Sequence, residues 1–379
     1  MESTLRIGIA CYPSVGGSGI LATALGVELA QRGHEVHFVS YDRPVRLPVD
    51  SPGISFHPVL IHGYGIFGHA DYTLPLAVKL AEVTRTHRLD ILHAHYAVPH
   101  ATAAVLAREF LPDGQRPRVV TTLHGTDTML LGRDPAYKPV IRHTLVHSNA
   151  ITTVSRFLRE ETLRLIEAGH EIEVVPNFYT PGTPSRNRRQ VREELGVSED
   201  EALLVHVSNL RPVKRIDLLL EVAARIRPRS SFKLLIVAGD DFEPFRNEVR
   251  RLQLEERIVV RENVTGVEDY FAAADLGLIT SEYESFCLSI LEAMTFACPS
   301  VSTAVGGIPE VIEDGVSGLL RPFGDADGLA RAVESLIAEP SFRKRLGAAA
   351  QQRALDRFSA ARIVPAYLDV YRQALEAGA

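Results

Sequence analysis

The amino-acid sequence predicts an α/β fold with two domains, each built around a parallel sheet. Short apolar strands alternate with helical segments through most of the 379 residues, a pattern that covers both faces of a parallel sheet. This alternation is interrupted at Thr180–Asn187, which is rich in Pro, Gly, Ser and Thr, and then restarts. A hydrophobic content of 46% is sufficient for two cores. We therefore expect a first domain over 1–180 and a second over 188–358.

Composition and charge restrict the function classes. The net charge of −6 is spread along the chain, which argues against a nucleic acid or an anionic membrane surface as partner. No apolar run reaches the length of a bilayer, and Met1 leads directly into a strand, so we expect no membrane contact and no signal peptide. Cys11, Cys287 and Cys298 lack metal-site spacing, which favours the reducing cytoplasm. A homo-oligomer is compatible with the sequence.

The first strand is followed by a glycine-rich loop. A buried strand at 5–10 leads into the loop Cys11–Gly19, and a helix is expected from Ile20 to Arg32. Glycines there allow the backbone to approach a ligand closely, and the helix would direct N–H groups at a phosphate. The spacing matches neither the dinucleotide fingerprint nor a P-loop, and a simple tight turn explains the loop equally well.

Polar residues follow several other strands of the first domain. His95-Tyr96, His124–Asp127, Ser155 and Asn177 each come directly after a predicted strand. The carboxyl ends of parallel strands meet at one edge of a sheet, where open α/β proteins bind ligands. A single histidine at such a place is more often a structural hydrogen-bonding group. Several polar groups at one edge indicate a site.

Two pairs of charged residues mark the second domain. Arg211 and Lys214 follow a strand at 202–208, and both are suited to phosphate oxygens. Glu284 and Glu292 follow a strand at 275–279, and we expect a helix N-terminus carrying Ser285 between them. Taken alone, the two glutamates are better explained as a solvated helix face, and a solvated loop explains the two basic residues at least as well as a site.

A third acidic motif has a structural explanation. Asp325-Ala326-Asp327 has the D-x-D pattern of metal-dependent sugar transferases, but it immediately precedes a predicted helix at Leu329–Ala338. We interpret Asp325 as a helix cap.

Together these motifs resemble the retaining GT-B glycosyltransferases of family 4, over nearly the whole chain. The glycine loop, the R-x-x-K of Arg211 and Lys214, and the E-x7-E of Glu284 and Glu292 carry the resemblance. The segments His93–His100, Leu123–Asp127 and Asn177-Phe178 are similar to the branch of the family that acts in bacillithiol biosynthesis. The resemblance implies two Rossmann-like domains facing a central cleft, with a C-terminal helix at about 360–379 that returns to the first domain.

The resemblance also implies an activity and a set of residues. N-acetylglucosamine would pass from UDP-N-acetylglucosamine to the hydroxyl of L-malate with retention, and no metal or other cofactor would be needed. His124, Glu284, Arg211 and Lys214 would be catalytic, and the acceptor would contact Ser18, Tyr96, Thr126 and Arg142. The residues implied in donor binding are Gly16, Gly17, Asn177, Ser208, Arg211, Lys214, Gly239, Glu284, Ser285, Phe286, Cys287, Leu288 and Glu292.

Three alternatives stay open at this point. The donor residues are compatible with another acceptor, such as a glycerol phosphate, an inositol phosphate or a growing polysaccharide. A UDP-N-acetylglucosamine 2-epimerase shares the expected architecture and needs no acceptor. A non-catalytic module that binds a sugar nucleotide would carry similar residues.

Overall fold

The computed structural model describes residues 4–14, 16–61, 72–264 and 266–377, and it divides the chain into two compact units. The first unit is Met1–Asn177 with Ala360–Ala379, and the second is Phe178–Ser359. Each unit contains one parallel sheet, which confirms the predicted fold class. The glycine- and aromatic-rich loop expected at Tyr64–Ala70 lies outside the described residues.

The first unit has a seven-stranded sheet in the order β3-β2-β1-β4-β5-β6-β7. The chain moves outward from β1 to β3 and then crosses to β4 on the other side of β1. This reversal places a topological switch point between β1 and β4. The strands are β1 (Arg6–Ala10), β2 (Glu35–Ser40), β3 (Ile54–Pro58), β4 (Ile91–His95), β5 (Arg118–Leu123), β6 (Ala150–Thr153) and β7 (Ile172–Val174).

Helices connect these strands, and the first begins earlier than the sequence pattern predicts. The helix expected from Ile20 begins at Gly17, because the glycine-rich loop itself closes the first helical turn on the Gly16 carbonyl. The helices are α1 (Gly17–Gln31), α2 (Thr73–His87), α3 (Thr102–Glu109), α4 (Lys138–Val146) and α5 (Arg156–Leu165). Short helical turns at Ala97–Ala101 and Thr126–Leu130 follow β4 and β5.

The second unit has a six-stranded sheet in the order β10-β9-β8-β11-β12-β13, with its switch point between β8 and β11. Leu203 and Leu235 pack on one face, and their strand neighbours Leu204 and Leu234 pack on the other. The strands are β8 (Ala202–Ser208), β9 (Phe232–Ala238), β10 (Ile258–Glu262), β11 (Leu276–Ile279), β12 (Ser300–Thr303) and β13 (Gly318–Arg321). The helices are α6 (Arg188–Glu194), α7 (Ile216–Ile226), α8 (Arg246–Arg251), α9 (Glu268–Ala273), α10 (Leu288–Thr295), α11 (Ile308–Val311), α12 (Ala326–Ala338) and α13 (Pro340–Phe358).

The final helix, α14 (Ala360–Glu376), belongs to the first unit, as the resemblance predicts. It packs against α1, β5 and β6. The Tyr371 hydroxyl lies 2.7 Å from Nδ1 of His93, and Nε2 of His93 lies 2.7 Å from Oγ1 of Thr122. All three side chains are fully buried, so this polar chain fixes α14 at one position against β4 and β5.

The segment predicted as a linker is part of the second unit. Ser185 donates to Asp269 from its backbone N–H over 2.6 Å and from its hydroxyl over 2.8 Å. Arg186 Nε also donates to Asp269 over 2.8 Å. A buried carboxylate on α9 therefore holds a segment whose composition alone indicates a loop. The sequence pattern also gave no signal for α6, β13 or α13.

The capping interpretation of Asp325 is confirmed. Its carboxylate accepts the backbone N–H of Gly328 over 2.8 Å at the start of α12. Among the described residues, no helix combines the length and the apolar character needed to cross a membrane.

We predict that Tyr371→Phe destabilises the protein. The change removes the hydroxyl that pairs with Nδ1 of His93, and a buried polar atom left without its partner costs about 1–3 kcal/mol. The midpoint of denaturant-induced unfolding measures the effect. Tyr137→Phe is the matched control, because Tyr137 is 44% exposed and its change should leave the midpoint in place. Equal midpoints for both variants would contradict the role given to Tyr371.

Candidate active site

The candidate site of the second unit is organised by one ion pair across the switch point. Nζ of Lys214, in the loop after β8, lies 2.6 Å from Oε1 of Glu284, in the loop after β11. The exposed fractions of the two side chains are only 20% and 10%, so the pair is largely withdrawn from water. The structure thus brings together two residues that lie far apart in the sequence. They meet at the place where open α/β folds bind ligands.

Hydrogen bonds between the two loops hold this pair in place. The backbone N–H of Glu282 donates to the carbonyl of Val213 over 2.9 Å. The Thr280 hydroxyl donates to the carbonyl of Lys214 over 3.3 Å. The Ser281 hydroxyl donates to Oε1 of Glu284 over 2.7 Å, so that the carboxylate has a second fixed partner.

The charge balance of this site favours an anion. Burial lowers the pKa of Lys214, but the attraction and the hydrogen bond of Glu284 outweigh burial and raise that pKa, so the ammonium is charged at neutral pH. Arg211 adds a second cation near Lys214, and its side chain is exposed. Lys214 is paired with Glu284, and the added positive charge of Arg211 suits a diphosphate.

Ser208 and Gly239 support the loop that carries these cations. Nδ1 of His206 lies 2.9 Å from the Leu278 carbonyl, which can only accept, so we assign the ring proton to Nδ1. Nε2 then accepts from the Ser208 hydroxyl over 2.8 Å, and burial lowers the pKa of His206 to about 4. The hydroxyl proton of Ser208 is therefore used inside the protein. Gly239 is exposed at the end of β9 and donates to the Ser208 carbonyl over 2.9 Å.

The stretch from Glu284 to Glu292 differs from its predicted form. Helix α10 begins at Leu288, so Ser285 lies in the preceding loop and not at the helix N-terminus. The cause is Cys287, which precedes the helix in a left-handed conformation with φ of 74°. Burial raises the pKa of its thiol to about 12, with a further contribution from Glu284, so the thiol stays protonated.

Phe286 is implied in donor binding, but its side chain is buried. Its ring is buried against Phe358 with the ring centroids 5.5 Å apart, so only its backbone is available to a ligand. Glu292 is buried within α10, one turn beyond the first backbone N–H groups of the helix.

A glycine that the sequence analysis did not single out shapes the Glu284 loop. Gly306 has φ of 56°, and a Cβ added there would overlap with the carbonyl oxygen of Glu284. The next residue, Gly307, donates its N–H to that same carbonyl over 2.9 Å. The two glycines allow the loop after β12 to support the backbone of Glu284. The Gly306-Gly307 pair before Pro309 was the available sequence signal.

In the first unit, aromatic and imidazole rings collect at the switch point between β1 and β4. The ring centroids of Tyr12 and Tyr96 lie 5.6 Å apart, and those of Tyr96 and His124 lie 5.1 Å apart. His124 Nε2 lies 2.9 Å from Nδ1 of His95. Burial, and to a lesser extent the nearby His100, lower the pKa of His124 to about 3. A neutral imidazole can hydrogen-bond to a sugar hydroxyl, but it supplies no positive charge.

Asp127 positions this group of rings, a role that sequence reasoning missed. Its carboxylate is fully buried and accepts the backbone N–H groups of Ala97 over 2.9 Å and of His124 over 3.1 Å. It therefore joins the turns that follow β4 and β5. Burial raises the pKa of Asp127 to about 7, against the opposing effect of these backbone donors. The only sequence signal was its position in the segment His124–Asp127.

The remaining residues implied in acceptor and donor binding lie at several places in the first unit. Gly17 and Ser18 form the first turn of α1, at the carboxyl end of β1. Thr126 is exposed at the start of the turn after β5. Asn177 follows β7, and its Oδ1 is buried with no hydrogen-bond partner among the described residues. Ser155, noted only for its position after β6, caps α5 by accepting the Leu158 N–H.

Arg142 is the exception. On α4, it donates from two nitrogens to Glu167, over 2.7 and 3.1 Å. Glu167 lies in the loop between α5 and β7. Nε2 of His170, in the same loop, lies 2.9 Å from the carbonyl of Val146 at the C-terminal end of α4. Arg142 is thereby directed at the amino-terminal edge of the sheet and away from the edge of His124. In this geometry the guanidinium of Arg142 is bound to Glu167, and its contact with the acceptor stays a prediction.

Comparison with known proteins now adds to this geometry. Residues 15–183 match the model described as Glycosyltransferase Family 4, and residues 187–353 match that described as Glycosyl transferases group 1. The chain is 41% identical to N-acetyl-alpha-D-glucosaminyl L-malate synthase of Bacillus anthracis, over 98% of this chain and 97% of that protein.

The chain belongs to glycosyltransferase family 4.

More distant relatives also match this chain over most of its length. D-inositol 3-phosphate glycosyltransferase of Kribbella flavida is 26% identical over 89% of this chain and 86% of its own. Sucrose-phosphate synthase from Thermosynechococcus elongatus has a TM-score of 0.80 at 20% identity, covering 98% of this chain and 100% of that chain. Anabaena HepE in complex with UDP-glucose has a TM-score of 0.78 at 21% identity, with coverages of 98% and 99%. These two structures confirm the GT-B fold of this glycosyltransferase.

We predict that Gly306→Ala disrupts the Glu284 loop. A left-handed φ alone costs an alanine about 1–2 kcal/mol, and the overlap with the Glu284 carbonyl adds about 1–3 kcal/mol. Gly315→Ala is the matched control, since Gly315 has φ of 75° but no atom within 4 Å of an added Cβ. Comparing the free energies of unfolding of the two variants separates the cost of the left-handed backbone from the cost of the overlap. A loss in Gly306→Ala no larger than in Gly315→Ala would contradict the assigned contact.

Proposed function

We propose that this glycosyltransferase transfers N-acetylglucosamine from UDP-N-acetylglucosamine to the hydroxyl of L-malate, with retention, as the first step of bacillithiol biosynthesis in the cytoplasm. The observation that carries the proposal is the 41% identity, over nearly both full lengths, to a protein named for the synthesis of this product. The site of the second unit supports the donor half, because its ion pair and extra cation suit a sugar diphosphate.

The donor is bound in this proposal by groups with separate roles. Arg211 and Lys214 hold the diphosphate. Glu284 accepts hydrogen bonds from sugar hydroxyls, and Glu292 accepts them from the ribose. Lys214 has three N–H donors, and its bond to Glu284 uses one of them, so the ammonium can serve a phosphate while it stays paired. The same pair then fixes the phosphate and the sugar relative to each other.

The other implied donor residues act through their backbone or by support. Phe286, Cys287 and Leu288 offer backbone groups at the start of α10, and Ser285 and Asn177 offer side-chain polar atoms. Ser208 and Gly239 act by shaping the end of the sheet. His124 contacts the transferred sugar as a neutral hydrogen-bonding group.

The chemical step balances without a metal ion. The bond between the sugar C1 and the phosphate oxygen breaks, and the malate hydroxyl oxygen bonds to C1 on the same face. The hydroxyl proton passes to the departing phosphate oxygen. Negative charge grows on UDP as the bond breaks, and the fixed charges of Arg211 and Lys214 stabilise it. Holding both substrates in this arrangement supplies much of the rate.

The acceptor is placed against the first unit. Ser18 lies in the first turn of α1, and Tyr96 and Thr126 lie in the segments that follow β4 and β5. Their hydroxyls suit the carboxylates of malate. The N-terminal turn of α1 adds backbone donors for an anion. Arg142 would join this set only if its guanidinium left Glu167. The malate KM of Arg142→Ala decides this, because an unchanged value removes Arg142 from the acceptor site.

The function is tested by incubating the full chain with UDP-N-acetylglucosamine and L-malate. We expect UDP and a product with the mass of N-acetylglucosaminyl malate, whose anomeric configuration by NMR is α, as in the donor. UDP release with a glycerol or inositol phosphate but not with malate would overturn the acceptor. UDP-N-acetylmannosamine formed without any acceptor would indicate an epimerase, and binding of UDP without turnover would indicate a binding module.

We predict that Arg211→Ala lowers kcat by roughly 10²-fold or more, because removing one fixed group that stabilises developing charge has this effect in other enzymes. Arg215→Ala is the matched control. Its guanidinium, only a few residues away, is bound to Asp217 over 2.7 Å and should leave kcat close to the wild-type value. Equal losses in the two variants would contradict the role of Arg211.

A further inference from the structure

Three histidines from different elements meet in the first unit, away from every residue assigned to substrate. His37 lies on β2, His57 lies on the edge strand β3, and His87 is the last residue of α2. One ring nitrogen of each lies within 4.8 Å of the others. We propose that this group, the three-histidine cluster, binds a divalent transition-metal ion of the zinc type.

The spacing of the cluster suits such an ion. Nδ1 of His37 and Nε2 of His57 lie 3.0 Å apart in a hydrogen bond, which a bound ion would replace. Histidine nitrogens bind Zn²⁺ at about 2.0–2.1 Å, which puts two ligand nitrogens of a tetrahedral site about 3.4 Å apart. The ring centroids of His37 and His87 lie 4.3 Å apart, and those of His57 and His87 lie 5.2 Å apart. Small side-chain rotations would therefore bring the nitrogens onto one ion, with a coordination position left for water or another ligand.

The nearby charges leave room for a cation. Among the described residues, Lys79 and Glu82 on α2 act on His57, and they pair with each other over 2.8 Å. Their charges largely cancel. His37 is buried, whereas His57 and His87 are half-buried, so an ion can enter from the side of the edge strand. A bound ion would join α2 to β2 and β3, which makes its expected effect structural.

Sequence reasoning could not find this site. His37, His57 and His87 are twenty and thirty residues apart and follow no metal-binding motif. The proposed transfer reaction uses no metal ion at the reacting groups. The three-histidine cluster lies on β2, β3 and α2, which carry no residue assigned to substrate. The proposal is therefore independent of the proposed function.

The test uses the full chain after treatment with a chelator, followed by titration with Co²⁺ and with Zn²⁺. We expect one Co²⁺ per chain, seen as visible d–d absorption, its displacement by Zn²⁺, and a melting temperature that rises with Zn²⁺ concentration. Removing a residue that hydrogen-bonds to a metal ligand typically lowers metal affinity by about 10–100-fold. Removing a ligand itself, as in His87→Ala, should therefore lower the affinity for Co²⁺ by more than about 100-fold.

His57→Ala provides a second ligand variant on a different element, so that a folding defect in one variant does not decide the result. His170→Ala is the matched control, because His170 is exposed and lies before β7 at the opposite edge of the sheet. Circular dichroism checks that each variant is folded. Stoichiometric binding that only the two ligand variants lose would support the proposal. Absence of Co²⁺ binding by the wild-type chain, or equal binding by all variants, would overturn it.

Discussion

The contact between Lys214 and Glu284 is the interaction on which the rest of the second unit depends. It joins the loops after β8 and β11, the two strands between which the chain reverses its direction across the sheet. The ends of the strands fix where these loops begin. Hydrogen bonds from Thr280 and Glu282 to carbonyls of the loop after β8 then hold the two loops together. Burial makes the pair strongly interdependent, since each charge would be costly without the other. A polar site is thereby held ready before any ligand arrives.

In the first unit, the residues at the switch point are held by hydrogen bonds to backbone N–H groups and not by an ion pair. Asp127 holds the turns after β4 and β5 through backbone donors, and burial keeps His124 uncharged. The rings and hydroxyls of the first unit suit the recognition of hydroxyl groups, whereas the cations of the second unit suit phosphate. Within one glycosyltransferase chain, the two parallel sheets therefore present different chemistry at their switch points. This division agrees with an enzyme that must bind a charged sugar nucleotide and a small acceptor.

Much of this arrangement could be predicted from the sequence, for identifiable reasons. Alternating strands and helices determine that loops after strands share one edge, so Lys214 and Glu284 could be expected near each other without a structure. The predicted cap at Asp325 follows from local chemistry and is confirmed. The start of α10 could not be predicted, because Cys287 adopts a left-handed conformation that a residue other than glycine rarely adopts.

Long-range contacts account for the other differences. The composition of Thr180–Asn187 indicates a linker, but the carboxylate of Asp269, much later in the chain, holds it in the second unit. Arg142 matches a motif by position, and in the structure its guanidinium pairs with Glu167. The three-histidine cluster arises only when β2, β3 and α2 come together. Sequence position identified candidate residues, whereas the contacts that each of them makes follow from tertiary packing.

The most direct test is the equilibrium affinity of Lys214→Met and Glu284→Gln for UDP and for UDP-N-acetylglucosamine. A hydrogen bond to a charged group contributes about 1.5–3 kcal/mol, equivalent to roughly tenfold to a hundredfold in affinity. We expect Lys214→Met to weaken both nucleotides by such a factor, and Glu284→Gln to weaken UDP-N-acetylglucosamine more than UDP. Folded variants that bind both nucleotides with wild-type affinity would contradict the account.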